Sequence, residues 1–85
     1  MAKELKYLEE GKKFKRLIES RNMTPYRFSM ACLYSPARLY RLISGEDDIR
    51  TVQTYNIAIF CRILGINTMD EFFKALDIDL IKEIA

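Results

Sequence analysis

The stretch TPYRFSMACLYSPARLYRLISG, residues 24–45, decides how this chain folds. It holds two hydroxyl–proline pairs, Thr24-Pro25 and Ser35-Pro36, eleven residues apart. Each pair is a helix start with a mechanism. The hydroxyl accepts from backbone N–H groups left free at a helix N-terminus, and proline fits the first helical position, where no N–H is needed. Gly45 supplies a stop, because glycine takes the left-handed conformation that closes many helices. The segment therefore predicts a short helix, a tight turn and a second helix of about three turns, a common length in globular proteins. Phe28 and Cys32 share one face of the first, at i and i+4. Leu39 and Leu42 share the buried face of the second, at i and i+3. Two helices so joined make a helix–turn–helix, whose second helix is often used to read a DNA groove.

Outward from this stretch the pattern stays helical. Phe14, Leu17 and Ile18 recur on one face among Lys12, Lys13, Lys15 and Arg16, which predicts a helix over about residues 11–21, with Asn22 as its stop. Residues 1–10 carry Leu5 and Leu8 at helical spacing but meet Gly11, and read as a frayed extra turn or an arm. Glu46-Asp47-Asp48 reads as a loop or the start of a helix. Ile57, Ala58, Cys61 and Leu64 predict a fourth helix over about residues 51–64, ended by Gly65. Thr68-Met69-Asp70-Glu71 is a capping box that opens a fifth, bearing Phe72, Phe73 and Leu76. No Gly or Pro interrupts residues 66–85, so that helix is expected to continue or restart through the apolar tail. Nothing reads as a pair of strands. The chain is expected to be a single all-α domain over residues 1–85.

Composition narrows the chemistry. The chain has 85 residues, 49% hydrophobic, with a formal net charge of +2. The charge is unevenly placed: residues 1–45 carry ten Lys/Arg against four Glu, and residues 46–85 carry four basic against eight acidic side chains. A basic half joined to an acidic half points to one face built for a polyanion. The sequence contains no histidine, which excludes an imidazole base, and two lone cysteines do not make the usual structural zinc site. Cys32 and Cys61 are expected as buried free thiols. No enzyme activity and no cofactor are expected. The absence of a long apolar run or an apolar leader argues for a soluble, cytoplasmic protein.

The spacing of these elements resembles the Cro/repressor-type (XRE-like) helix-turn-helix family over about residues 12–73. Phe28 stands at the family's buried leucine, and Ser29 where a small residue lets the helices cross. Leu39 and Leu42 match the buried aliphatics of the third helix, Ser44-Gly45 its end, and Ile63-Leu64-Gly65-Ile66 before TMDEFF the step between helices four and five. The resemblance implies a five-helix lambda-repressor-like domain that binds double-stranded DNA. Departures accompany it. Leu33 occupies the turn position where the family prefers glycine; a left-handed leucine there costs roughly 1–2 kcal/mol. Pro25 replaces a polar residue that opens helix two, and Ile43 stands where glutamate is frequent.

On this reading the outer face of the second helix, with Pro36, Ala37, Tyr40, Arg41 and Ser44, meets the bases. Arg41 is the best reader, since a guanidinium pairs bidentately with guanine O6 and N7. Pro36 and Ala37 offer apolar contact to a thymine methyl. Arg38 is placed on the DNA backbone, with Ser35, Thr24, Tyr26, Arg27 and Arg50 as further positioning contacts. The expected function is a DNA-binding transcriptional regulator, most simply a repressor that binds a two-fold operator as a homodimer. Val52, Tyr55 and Ile59, with Ile78, Leu80, Ile81 and Ile84 of the 66–85 segment, form the expected dimer surface; the alternative is that the tail folds back over Tyr55 and Ile59 as core. Two alternatives share the same helices: an antitoxin that also holds a protein toxin, and a helical protein-interaction module without DNA binding.

Overall fold

The computed structural model describes residues 6–78. Five α-helices run in order, α1 (Leu8–Ser20), α2 (Pro25–Ala31), α3 (Pro36–Ser44), α4 (Thr54–Leu64) and α5 (Met69–Ala75), with a 3-10 turn at Ile49–Thr51 and no strand among the described residues. The domain is all-α.

The helix starts follow the side chains that cap them. Thr24 Oγ1 accepts from the Arg27 N–H at 3.2 Å, Ser35 Oγ from the Arg38 N–H at 3.4 Å and Thr68 Oγ1 from the Glu71 N–H at 3.1 Å. The stops follow left-handed residues: Gly45 (φ 88°), Gly65 (φ 73°) and Asn22 (φ 61°). Four of the five helices are at most eleven residues long, too short to persist alone, so packing must hold them.

That packing centres on phenylalanine. Phe14 of α1, Phe28 of α2, Phe60 of α4 and Phe72 of α5 are all at most 1% exposed. Their ring centroids lie 5.3–6.4 Å apart, mostly edge-on or tilted, the arrangement aromatic quadrupoles favour. Ile18, Leu39, Leu64 and Leu76 fill the space around them. Ser29, fully buried where α2 meets this core, donates its hydroxyl to the Tyr26 carbonyl at 2.7 Å and so carries no unmet polar group. Cys32 and Cys61 are buried free thiols. Burial pushes the Cys32 thiol up to about 11, so the neutral form that packs as a small hydrophobe prevails at neutral pH.

Several boundaries differ from the sequence reading. Gly11 does not interrupt a helix: α1 begins at Leu8 and Gly11 lies inside it, buried against the end of α3. Helix four opens at Thr54 rather than Thr51, because Asp48 draws residues 49–51 into a 3-10 turn by accepting from the Arg50 N–H at 3.0 Å. Helix five ends at Ala75 and does not continue, and the alternative of a restart falls on residues 79–85, outside the described residues. Asp77 turns left-handed (φ 58°), and the Ile78 N–H returns to the Phe73 carbonyl at 2.9 Å. This folds Ile78 into the core at 5% exposure, which removes it from the expected dimer surface. Leu80, Ile81 and Ile84, the rest of the tail assigned to that surface, lie outside the described residues.

The turn between α2 and α3 keeps its left-handed residue although glycine is missing. Leu33 has φ 54° and is 94% exposed, while the Tyr34 N–H donates to the Ser29 carbonyl at 2.9 Å to close the turn. The strain therefore stands, with no buried contact to offset it. Leu33→Gly relieves a left-handed side chain worth roughly 1–2 kcal/mol and loses part of that to a freer unfolded chain. A net gain of about 0.5–1 kcal/mol is expected, read as a rise of a few degrees in Tm. An unchanged or lower Tm would mean that the leucine side chain supports the turn.

Candidate nucleic-acid interface

The candidate interface is built on α3. Leu39 (0% exposed) and Leu42 (4%) fix one side of the helix into the core. At about 100° per residue this turns Ala37, Tyr40, Arg41 and Ser44 away from the core and leaves Arg38, one turn before Leu42, at the flank of the buried side. Ala37, Arg38, Tyr40 and Arg41 are all exposed, Tyr40 to 50%. Pro36 and Ser44, at the two ends, are half-buried. At the start of α2, Thr24, Tyr26 and Arg27 are exposed as well. Most of the residues assigned to DNA thus lie together at the surface of α2 and α3, and the exposed ones retain room for a partner.

The four arginines of the set differ in what they touch. Arg27 and Arg38 are exposed. Arg38 shares a cleft with Tyr34, Asp47 and Tyr55 between the starts of α3 and α4. Burial raises the Tyr34 phenol above its usual range there; the Arg38 charge lowers it, and Asp47 and Tyr55 raise it further. Arg41 keeps 60% of its side chain exposed but is not alone. Its Nη2 lies 3.3 Å from Asp47 Oδ1 and its Nε 3.7 Å from Glu46 Oε2. Arg50 is more enclosed. Its Nε donates to Asp48 Oδ1 at 2.8 Å, with side chains only 24% and 18% exposed, and its guanidinium sits 5.7 Å from the Tyr7 ring centroid. That geometry anchors the 3-10 turn before α4 to the segment leading into α1. Arg50 is thereby tied into the fold, unlike the outward-facing arginines of α2 and α3.

The basic residues of α1 are partly matched. Lys13 Nζ lies 2.6 Å from Asp77 Oδ2, and Lys12 pairs loosely with Glu9 at 3.8 Å. On the expected dimer surface, Tyr55 is 63% exposed, while Val52 and Ile59 are partly covered by the core.

Sequence reasoning missed Glu46 and Asp47 as partners of Arg41. The available signal was the acidic run directly after Gly45, one turn beyond the arginine. Among the described residues no three His, Cys, Asp or Glu side chains are grouped to hold a metal ion, and no helix is long and apolar enough to cross a membrane. No protein-family model, curated protein or solved structure matches this chain.

Proposed function

We propose that this protein is a sequence-specific DNA-binding transcriptional regulator with a lambda-repressor-like helix-turn-helix, acting without catalysis. The observation that carries the reading is the division of α3: Leu39 and Leu42 are locked in the core while Ala37, Tyr40 and Arg41 stand exposed on the opposite side, with Arg38 exposed at its flank. A rigid helix with that pattern, entered through a tight turn from a second capped helix, is the form that inserts side chains into a major groove. Arg41 takes the base-reading role and Arg38 the phosphate role; Thr24, Tyr26, Arg27 and Ser35 surround them at the two helix starts. Repression through promoter occlusion is the simplest mode. One short reading helix covers few base pairs, so a dimer on a two-fold site is the expected assembly, with exposed Tyr55 of α4 in its seam.

The test separates the two arginines. After selection of a preferred duplex, Arg41→Ala should cost about 1–3 kcal/mol at one base position and relax the preference there. Arg38→Ala should weaken every duplex alike and flatten the dependence of log K on log salt by about one unit. Fluorescence anisotropy across a duplex panel at several salt concentrations reads both. Equal preferences in wild type and Arg41→Ala count against the assignment.

A second reading, a regulator that also holds a protein partner such as a toxin, draws on a separate observation. Tyr26, Met30 and Leu33 are 55%, 52% and 94% exposed along α2 and the turn after it. Co-purification of a partner, lost on Leu33→Asp, is its test.

A further inference from the structure

Arg41 is gripped twice by the same two residues. Gly45 closes α3 in the left-handed conformation, and the chain then doubles back so that the N–H groups of Glu46 and Asp47 both donate to the Arg41 carbonyl, at 3.0 and 3.1 Å. The same two residues send their carboxylates to the Arg41 side chain, at 3.7 and 3.3 Å. The backbone reversal therefore brings both residues beside Arg41, with their carboxylates in reach of its side chain. The closest approaches fall on Nε and Nη2, one edge of the guanidinium. A guanidinium has five N–H donors in a fixed fork, so an edge held by carboxylates leaves the Nη1 end for another acceptor. The Arg41 side chain remains 60% exposed to receive it.

We infer that Glu46 and Asp47 determine specificity by holding Arg41 for a base edge and keeping it off phosphate. This rests on the DNA-binding reading above and deepens it. The physics is a difference between two acceptors. A phosphate approaching Arg41 brings negative charge to within a few ångströms of two carboxylates, and like charges that close repel. Guanine offers O6 and N7 on a neutral base, which the carboxylates do not oppose to the same degree. The pair thus suppresses sequence-blind binding more than base reading. It also restricts the rotamers of a long side chain before the complex forms, which lessens the ordering that binding requires.

The experiment uses the full chain with Glu46→Gln and Asp47→Asn together, near-isosteric changes that leave the two backbone N–H groups in place. Exposed ion pairs contribute little to folding, so thermal melts should match wild type; Asp47→Asn alone, at the closer contact, is the reserve variant. Binding is measured to the selected duplex, to its three variants at the base pair that Arg41 reads, and to an unrelated duplex. Removal of the two charges should tighten binding to the unrelated duplex by about tenfold. It should also cut the preference at the Arg41 base pair by roughly fivefold or more. In an Arg41→Ala background the same substitutions should leave that preference unchanged. A uniform gain on every duplex with the preference intact would overturn the inference and reduce the carboxylates to general surface charge. No change on any duplex would overturn it as well. Wild-type protein that shows no salt-dependent duplex binding at all would instead sink the DNA-binding reading, and this inference with it.

Discussion

Phe60→Ala should cost the fold about 3–5 kcal/mol and bring its melt far below that of wild type. Phe60 is fully buried, and its ring lies 5.2–6.4 Å from the centroids of Tyr34, Phe14, Phe28 and Phe72. Those neighbours come from α1, α2, the turn before α3, and α5, so one side chain from α4 joins nearly every element. Its removal subtracts the transfer energy of a large aromatic and leaves a void that four rings cannot all collapse into. Phe→Ala at such a site costs about 3–5 kcal/mol. A chain of this size is stable by only about 0.05–0.15 kcal/mol per residue, roughly 4–13 kcal/mol in total. The loss therefore consumes about a quarter of the stability at best and all of it at worst. Circular dichroism should show a broad, early melt or none. Phe60→Leu keeps most of the volume and should melt much closer to wild type. A sharp Phe60→Ala transition within a few degrees of wild type would show that the rings do not hold the helices together.

Phe60 was legible in the sequence and was passed over. The positions 57, 61 and 64 mark a single stripe along α4, and that stripe is buried as expected. Phe60 belongs to the same stripe, three residues after Ile57 and four before Leu64, whereas Ala58, counted with it, turns away and is exposed. Local chemistry was legible throughout: Thr24, Ser35 and Thr68 cap, and Gly45 and Gly65 stop, because each acts on backbone within four residues of itself. The opening of α4 was not, since Gln53 makes no side-chain cap and leaves no signature. Nor was the end of α5: aspartate is one of the few non-glycine residues that take the left-handed turn Asp77 adopts, but it is as much at home elsewhere and so marks no stop by itself. The candidate site divides in the same way. The spacing of Leu39 and Leu42 places Arg41 outward; Arg38, one turn before Leu42, is exposed at the flank of the buried side, beside Tyr34 and Asp47. The carboxylates beside Arg41 arrive through the backbone reversal at Gly45, a geometry that helical periodicity does not encode.

Gly11→Ala should destabilise the fold, against what helix propensity alone predicts. Within an exposed helix the change would gain about 1 kcal/mol. Gly11 is not exposed. A Cβ at that position would stand 2.6 Å from the Leu42 carbonyl oxygen and closer still to that of Ile43. Both are backbone atoms in the last turn of α3, and backbone cannot swing aside as a side-chain tip can. The two helices must separate, yet a second contact pins them. Gly45 itself lies so near the start of α1 that its own Cβ would fall 2.6 Å from Leu8 Cα, and the Tyr7 N–H donates to the Gly45 carbonyl at 3.3 Å. Relief at Gly11 thus breaks the seam that orients the end of α3, where Arg41 and its carboxylate partners sit. Overpacking of this kind costs about 1–3 kcal/mol or more, enough to outweigh the propensity gain and lower Tm by roughly 10 °C. Gly65→Ala is the matched comparison: no atom lies within 4 Å of its Cβ, so only left-handed strain of about 1 kcal/mol opposes it. If Gly65→Ala proves the more damaging of the two, close approach of α1 to α3 is not what fixes the reading helix. If Gly11→Ala is the more damaging and the folded fraction that remains also binds its preferred duplex more weakly, the seam sets both stability and the aim of Arg41.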